Sequence, residues 1–173
     1  QNAISKILET EKRIDILINN AGMGMVGSVE DSSQEEILRL FNLNLVGSVQ
    51  MMSAVLPKMR EQKSGKIINI SSIGSEMGLP FRGFYSASKS ALDKVTEAIR
   101  YEVSPWNIDV CALHLGDIKT KIAENRVQTK VSAPYQKTFE KIYSVMNSHV
   151  DDGTEPSEVA NYMEKLLTKK SWK

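Results

Sequence analysis

The sequence predicts an α/β fold in which a parallel sheet carries helices on both faces. Short β-branched runs closed by turn residues, and long amphipathic stretches that separate them, imply βαβ crossovers rather than hairpins. The 173 residues, 41% hydrophobic and 25% charged, suit one domain with a substantial core.

The elements follow in chain order. Ile4, Ile7, Leu8 and Glu11 recur at helical spacing over residues 3–12, without a leading Met or a cap. Ile14, Ile16, Leu17 and Ile18, closed by Asn19 and Asn20, read as a strand buried on both faces. A glycine-rich loop runs to Ser33, which with Glu36 forms a capping box. Behind it Phe41, Leu45, Val49, Met52, Leu56 and Met59 mark a long helix, ended or kinked near Pro57. Residues 66–71 read as a second strand. A loop with Gly74, Gly78, Pro80 and Gly83 precedes a second long helix, marked by Ala91, Leu92, Val95, Ile99 and Val103 and stopped by Pro105. Residues 108–113 form a third strand. Two helices, about 133–146 and 156–167, complete the chain with no fourth convincing strand. A helix opens the chain where a doubly wound fold places a strand, so the sheet reads as truncated at the N-terminus and at the C-terminus as well.

Composition excludes several classes. Twenty-two basic against 21 acidic residues give a formal charge of +1, which favours neither nucleic acid nor an anionic membrane. A single cysteine, Cys111, permits no intrachain disulfide and reads as a small core residue, consistent with the cytosol. No signal peptide opens the chain, and no apolar run approaches the ~20 residues of a membrane span. His114 and His149 read as too isolated to form a metal site. The sequon Asn69-Ile70-Ser71 falls inside a strand and reads as unused.

The run Gly22-Met23-Gly24-Met25-Val26-Gly27 matches G-x-G-x-x-G after a strand, as a dinucleotide fingerprint does. Its context fails. Residues 28–33 intervene before the next helix, and no second strand ends in an acidic residue ~20 positions on. These glycines are expected to permit tight turns beside a ligand.

Tyr85 and Lys89, four residues apart, share one side of a helical turn. A cation there stabilises a phenolate, so Tyr85 is a candidate general acid or base. Ser71 and Ser72 end the second strand, where open α/β sheets place ligand sites, and Asn44 lies in the apolar face of the first long helix.

Together these residues resemble the short-chain dehydrogenase/reductase family. Asn19-Asn20-Ala21-Gly22 looks like its N-N-A-G, and Asn44 its helix asparagine. Ser72 lies thirteen residues before Tyr85, Tyr85 with Lys89 matches Y-x-x-x-K, and Gly116, Ile118 and Thr120 resemble the segment that meets the nicotinamide. Leu115 stands where the family usually has proline. The resemblance implies a Rossmann-like fold and an oxidoreductase that interconverts a carbonyl and a secondary alcohol with NAD or NADP. It implies that Tyr85 transfers the proton and Ser72 polarises the oxygen, that Lys89 binds the ribose, and that Asn44 holds a water. Asn20, Ala21, Gly22, Tyr85, Lys89, Gly116, Ile118 and Thr120 would border the cofactor. A homodimer or homotetramer is implied as well. The family's glycine-rich phosphate loop has no counterpart here, so about 70 N-terminal residues are expected to be missing from a single partial domain over residues 1–173. The alternative is a non-catalytic binding protein on the same fold. Residues 121–155 read as the variable substrate region, and Met77, Leu79, Pro80, Phe81 and Phe84 as an apolar wall suited to a steroid- or lipid-like ketone or alcohol.

Overall fold

The computed structural model describes residues 2–121 and 125–172; the side chains of Asn2, His149, Val150 and Asp151 lie outside the description, so the sequence reading of His149 does as well. In chain order the elements are α1 (Asn2–Glu11), β1 (Ile16–Asn19), β2 (Met25–Val26), α2 (Gln34–Phe41), a π-helical segment (Asn42–Gly47), α3 (Ser48–Gln62), β3 (Gly65–Ser72), α4 (Gly83–Val103), β4 (Ile108–Leu115), β5 (Val127–Gln128), α5 (Ala133–Asp151) and α6 (Pro156–Thr168).

The main sheet is parallel in the order β1-β3-β4. Ile16 pairs with Lys66, and Gly65 to Ser72 pair in step with Ile108 to Leu115. Side chains alternate across it. Leu17, Ile67 and Val110 join Met52, Val55, Leu56 and Met59 of α3, with Ile4 of α1, in one buried cluster. On the opposite face Lys66 donates to the Leu167 carbonyl, 2.8 Å, and to that of Lys169 at the end of α6, and its ammonium lies over the Trp172 ring. Helices therefore meet both faces.

β1 corrects one expectation, because it is buried on one face only. Leu17 and Asn19 point inward, whereas Ile16 and Ile18, 46% and 40% exposed, lie on the far face of this edge strand. β2 and β5 were not foreseen. Two residues each, they form a parallel ribbon apart from the main sheet, too short for a periodic signal.

The Ser33–Glu36 capping box is present. Residues 34–62 run on as one helix with Pro57 inside it, so the helix does not end there. By length and composition alone this helix is apolar enough to cross a membrane. Its Met52, Val55, Leu56 and Met59 are instead buried against the sheet, the mark of a core helix.

One buried polar hub joins the layers. Asn69 of β3 accepts from Asn19 Nδ2 at 2.8 Å and donates to Thr96 Oγ1 of α4 at 2.8 Å, with no exposed surface of its own. The burial agrees with an unused sequon. Asn69→Leu is expected to destabilise the chain by about 2–4 kcal/mol, since both partners lose a buried hydrogen bond. Urea unfolding checks this; a change below about 0.5 kcal/mol contradicts the hub.

Candidate active site

The site lies at the carboxyl ends of β1, β3 and β4. Asn44 occupies the π-helical segment and is fully buried. A π-turn widens the helix by one residue and turns a side chain out of the regular stripe. Here it aims the amide at the loop after β1. Asn44 Oδ1 accepts from the Met23 N–H at 2.8 Å, and Nδ2 donates to the Met23 carbonyl at 3.0 Å and to Ser88 Oγ at 3.1 Å. Ser88 in turn donates to the Tyr85 carbonyl at 2.8 Å. The amide thus behaves as a peptide group and ties the 20–24 loop to α4.

Tyr85 and Lys89 share the buried face of α4, each 6% exposed. Lys89 Nζ donates to the Ile70 carbonyl at 2.7 Å. Burial lowers its pKa to about 8, with the nearby Asp93 charge acting weakly the other way. Ser72 ends β3, and its Oγ accepts from the Gly74 N–H at 3.1 Å. A side chain on Gly74 would start 3.4 Å from Ser72 Oγ and 3.8 Å from the Tyr85 ring, so Ser72 and Tyr85 flank that glycine. One on Gly22 would start 3.3 Å from Asn44 Oδ1 and 3.5 Å from Lys89 Nζ. The four side chains therefore gather around two glycines.

A cavity of about 1140 Å³ opens here, with Asn20, Gly22, Ser72, Tyr85, Lys89, Gly116, Ile118 and Thr120 on its wall. Ala21 faces a separate groove between β1 and α3, and Asn44 sits behind the loop rather than on the wall. The segment after β4 is held by backbone. Ile118 bridges Thr154, Lys119 N–H donates to the Thr154 carbonyl at 3.0 Å, and Thr154 N–H to that of Asp117 at 2.9 Å. Leu115 is the last residue of β4, so the strand runs on through the position where a proline was expected.

The failed glycine motif finds its physical cause in close approaches. Gly22 leaves room for Asn44 and Lys89, and an added Cβ on Gly24 would come within 3.1 Å of Arg126 Cγ. Gly27, at φ +155°, would clash with Thr129 Oγ1 at 1.7 Å where β2 meets β5. The next helix begins only at Gln34.

Two expectations are corrected. The apolar wall is partial: Leu79 and Pro80 line the cavity, but Met77 is 64% exposed and Phe81 packs edge-on against Phe139 of α5 at 5.3 Å. His114 is not isolated. Its Nδ1 lies 3.2 Å from Glu76 and its Nε2 3.1 Å from Asp93, partners 38 and 21 residues away that no local pattern could link. Ser88 and Arg82 also escaped the sequence reading. Ser88 carried a signal, since at three residues from Tyr85 it falls on the same helix face. Cys111 is half-buried, and desolvation pushes its thiol up to about 11, as expected of an inert core cysteine.

A parallel α/β sheet with its cavity at the strand carboxyl ends defines a Rossmann-like domain. A short-chain dehydrogenase from Streptomyces avermitilis superposes with a TM-score of 0.87 over 97% of this chain and 61% of its own, at 28% identity. A gluconate 5-dehydrogenase from Burkholderia cenocepacia, solved with NADP and tartrate, gives 0.68 over 70% and 48%, at 30% identity. The sequence profile described as short chain dehydrogenase matches residues 1–131, and the chain belongs to that family. Among curated relatives, a 3-ketodihydrosphingosine reductase from Bacteroides thetaiotaomicron is 38% identical over 99% of this chain and 65% of its own length. Dehydrogenase/reductase SDR family member 7B from Xenopus laevis is 36% identical over 91% of this chain and 46% of its own. The chain thus spans between about half and two thirds of the length of these relatives.

The buried ammonium of Lys89 generates a stability prediction. Its folded-state pKa of about 8 lies below the ordinary 10.5, so between those values the unfolded chain binds more protons and stability rises with pH. Below pH 8 the cost of the buried cation, about 3 kcal/mol, is fully present. Lys89→Met is therefore expected to raise stability at pH 7 by about 1–3 kcal/mol, the orphaned Ile70 carbonyl offsetting part of the gain, and to flatten the slope between pH 8 and 10.5. Urea unfolding across pH without added nucleotide measures both; an unchanged slope contradicts the assignment.

Proposed function

We propose that the protein carrying this chain is an NAD(P)-dependent oxidoreductase that interconverts a carbonyl and a secondary alcohol. The carrying observation is the gathering of Ser72, Tyr85 and Lys89 on one cavity wall, with Asn44 fastening the loop behind them.

The residues fit a nicotinamide dinucleotide. Gly22 keeps the space beside Lys89 Nζ free of side chain, and the 116–120 segment is braced opposite by its bridge to Thr154. When bound, the cofactor supplies or accepts the hydride. Lys89, with donors to spare beyond the Ile70 carbonyl, would hold the ribose hydroxyls. Asn20 and Gly22 would border the cofactor on one side, with Ala21 between them turned to the groove beside β1, and Gly116, Ile118 and Thr120 would border it on the other.

In reduction the Tyr85 hydroxyl gives its proton to the carbonyl oxygen, and in oxidation the phenolate takes it back. Ser72 donates to the same oxygen and polarises it, because among the described residues its Oγ accepts from Gly74 and donates to none. The Lys89 ammonium, whose pKa burial lowers to about 8, hands on the proton. Asn44 spends both amide protons on Met23 and Ser88, which leaves one Oδ1 lone pair to order a water on the proton path.

The substrate is read as apolar in its larger part. Ile142, Val145 and Met146 of α5, with Val159 and Met163 of α6, complete the cavity wall, and a similar protein bears the name 3-ketodihydrosphingosine reductase. Residues 1–173 serve as the catalytic part of one domain, working in the cytosol as a homodimer or homotetramer. Exposed Tyr101 and Trp106 at the end of α4 support the self-association.

Tyr85→Phe in the full protein is expected to lower NAD(P)H oxidation with long-chain ketones by about 10²–10⁴-fold while leaving the circular dichroism spectrum intact. Unchanged turnover would remove Tyr85 as the proton donor.

A further inference from the structure

The formal charge of the whole chain is only +1, yet the cavity concentrates cations. Arg39, Arg82, Lys89, Arg126 and Lys141 line it, against Asp117 as the one carboxylate among its described lining residues. One of these cations stands beside the reacting side chain, and a second shares its cavity. Arg82, the residue before α4, places its guanidinium 4.7 Å from the centre of the Tyr85 ring. Arg126, in the segment that leads into β5, packs its stem on Gly24 and donates from Nη1 to Asn147 Oδ1 at 3.1 Å.

Neither guanidinium is ion-paired with a carboxylate among the described residues. Burial and the nearby Arg82 charge both act to lower the Arg126 pKa, with weaker opposing effects from Tyr143, Tyr85 and Asp117. Two half-buried like charges repel, and the pair is unfavourable without an anion between them. The backbone is built to keep Arg126 there. β5 is zipped to β2 through Val127 N–H to the Gly24 carbonyl at 2.9 Å and Thr129 N–H to the Val26 carbonyl at 2.8 Å, and Asp31 accepts from the Ser132 N–H at 2.8 Å.

We propose that Arg82 and Arg126 bind the anionic group, a carboxylate or a phosphate, of an amphipathic oxo substrate whose alkyl part lies along α5 and α6. This rests on the reading of Tyr85 as proton donor, and it sharpens the substrate class. An anion paired with Arg82 lies one side chain away from the phenol, so the charged group is a few bonds from the reacting carbonyl. A guanidinium pair donates to both oxygens of such a group in a fork that a neutral ester cannot match.

The test uses the full protein with NAD(P)H and a matched series: 4-oxodecanoate, 4-oxodecyl phosphate, methyl 4-oxodecanoate, and 3-ketodihydrosphingosine with its cationic amine. The acid or the phosphate is expected to exceed the ester in kcat/KM by about tenfold or more, the better of the two naming the anion. Arg82→Gln and Arg126→Gln, which keep the stems, should collapse that preference towards unity through KM. Equal use of acid, phosphate and ester, a preference for the amine, or variants that raise the KM for NAD(P)H instead would overturn the inference. Calorimetry with decanoate and no cofactor is independent of turnover. There Arg126→Gln should weaken binding by about tenfold, and equal affinity in both proteins would overturn the inference even if no ketone were reduced. Reduction of the ester without any preference for the anions would sink this inference and leave the proposed activity standing.

Discussion

A side-chain amide that cannot be left unpaired organises this molecule. Asn44 is fully buried in an otherwise apolar helix, and it satisfies its amide by pairing in both directions with the Met23 peptide and donating onward to Ser88. Removing a partner from such a group costs about 1–3 kcal/mol, so the loop after β1 and the first turns of α4 have little freedom to drift. Gln62 does the same at the other end of the helix. Its Oε1 accepts from the Ile14 N–H at 3.0 Å, and its Nε2 donates to the Ile14 carbonyl at 2.9 Å. Two amides thus fix one helix against both ends of β1.

The loop after β1 and the Tyr85–Lys89 turn of α4 inherit their positions from that fixing. The π-turn at residues 42–47 exists where Asn44 must reach sideways, and it leaves α3 in register to bury Met52, Val55 and Met59 on the sheet. Gly22 and Gly74 are the points at which Asn44 with Lys89, and Ser72 with Tyr85, come close to the backbone. Burial of Lys89 costs stability and lowers its pKa to about 8, a titration that the proposed function uses for proton transfer.

Much of this was legible in the sequence because it is local. The capping box at Ser33 and Glu36 and the face shared by Tyr85 and Lys89 follow from spacings of three and four residues, and the apolar run at 66–71 marks most of the strand that spans Gly65–Ser72. The rest depends on distant pairs. β2 and β5 have two residues each and are defined only by one another, across about a hundred residues of chain. Glu76, Asp93 and His114 meet through the β3–β4 register and α4. Ile16 and Ile18 read as buried because composition reports the preference of a strand, not the number of elements covering it. The glycines of residues 22–27 were recognisable as unsuited to a phosphate loop, but their individual reasons lie in Lys89, Arg126 and Thr129, none of them nearby in sequence.

The convergence of Ser72 and Tyr85 on one substrate oxygen is the centre of the account, and a crystal structure of the full protein with nicotinamide cofactor and a bound secondary alcohol tests it most directly. The expected result is one alcohol oxygen within hydrogen-bond reach of both the Tyr85 hydroxyl and Ser72 Oγ, with Lys89 Nζ on the ribose. An alcohol oxygen bound away from Tyr85, or a ribose that leaves Lys89 untouched, would contradict it.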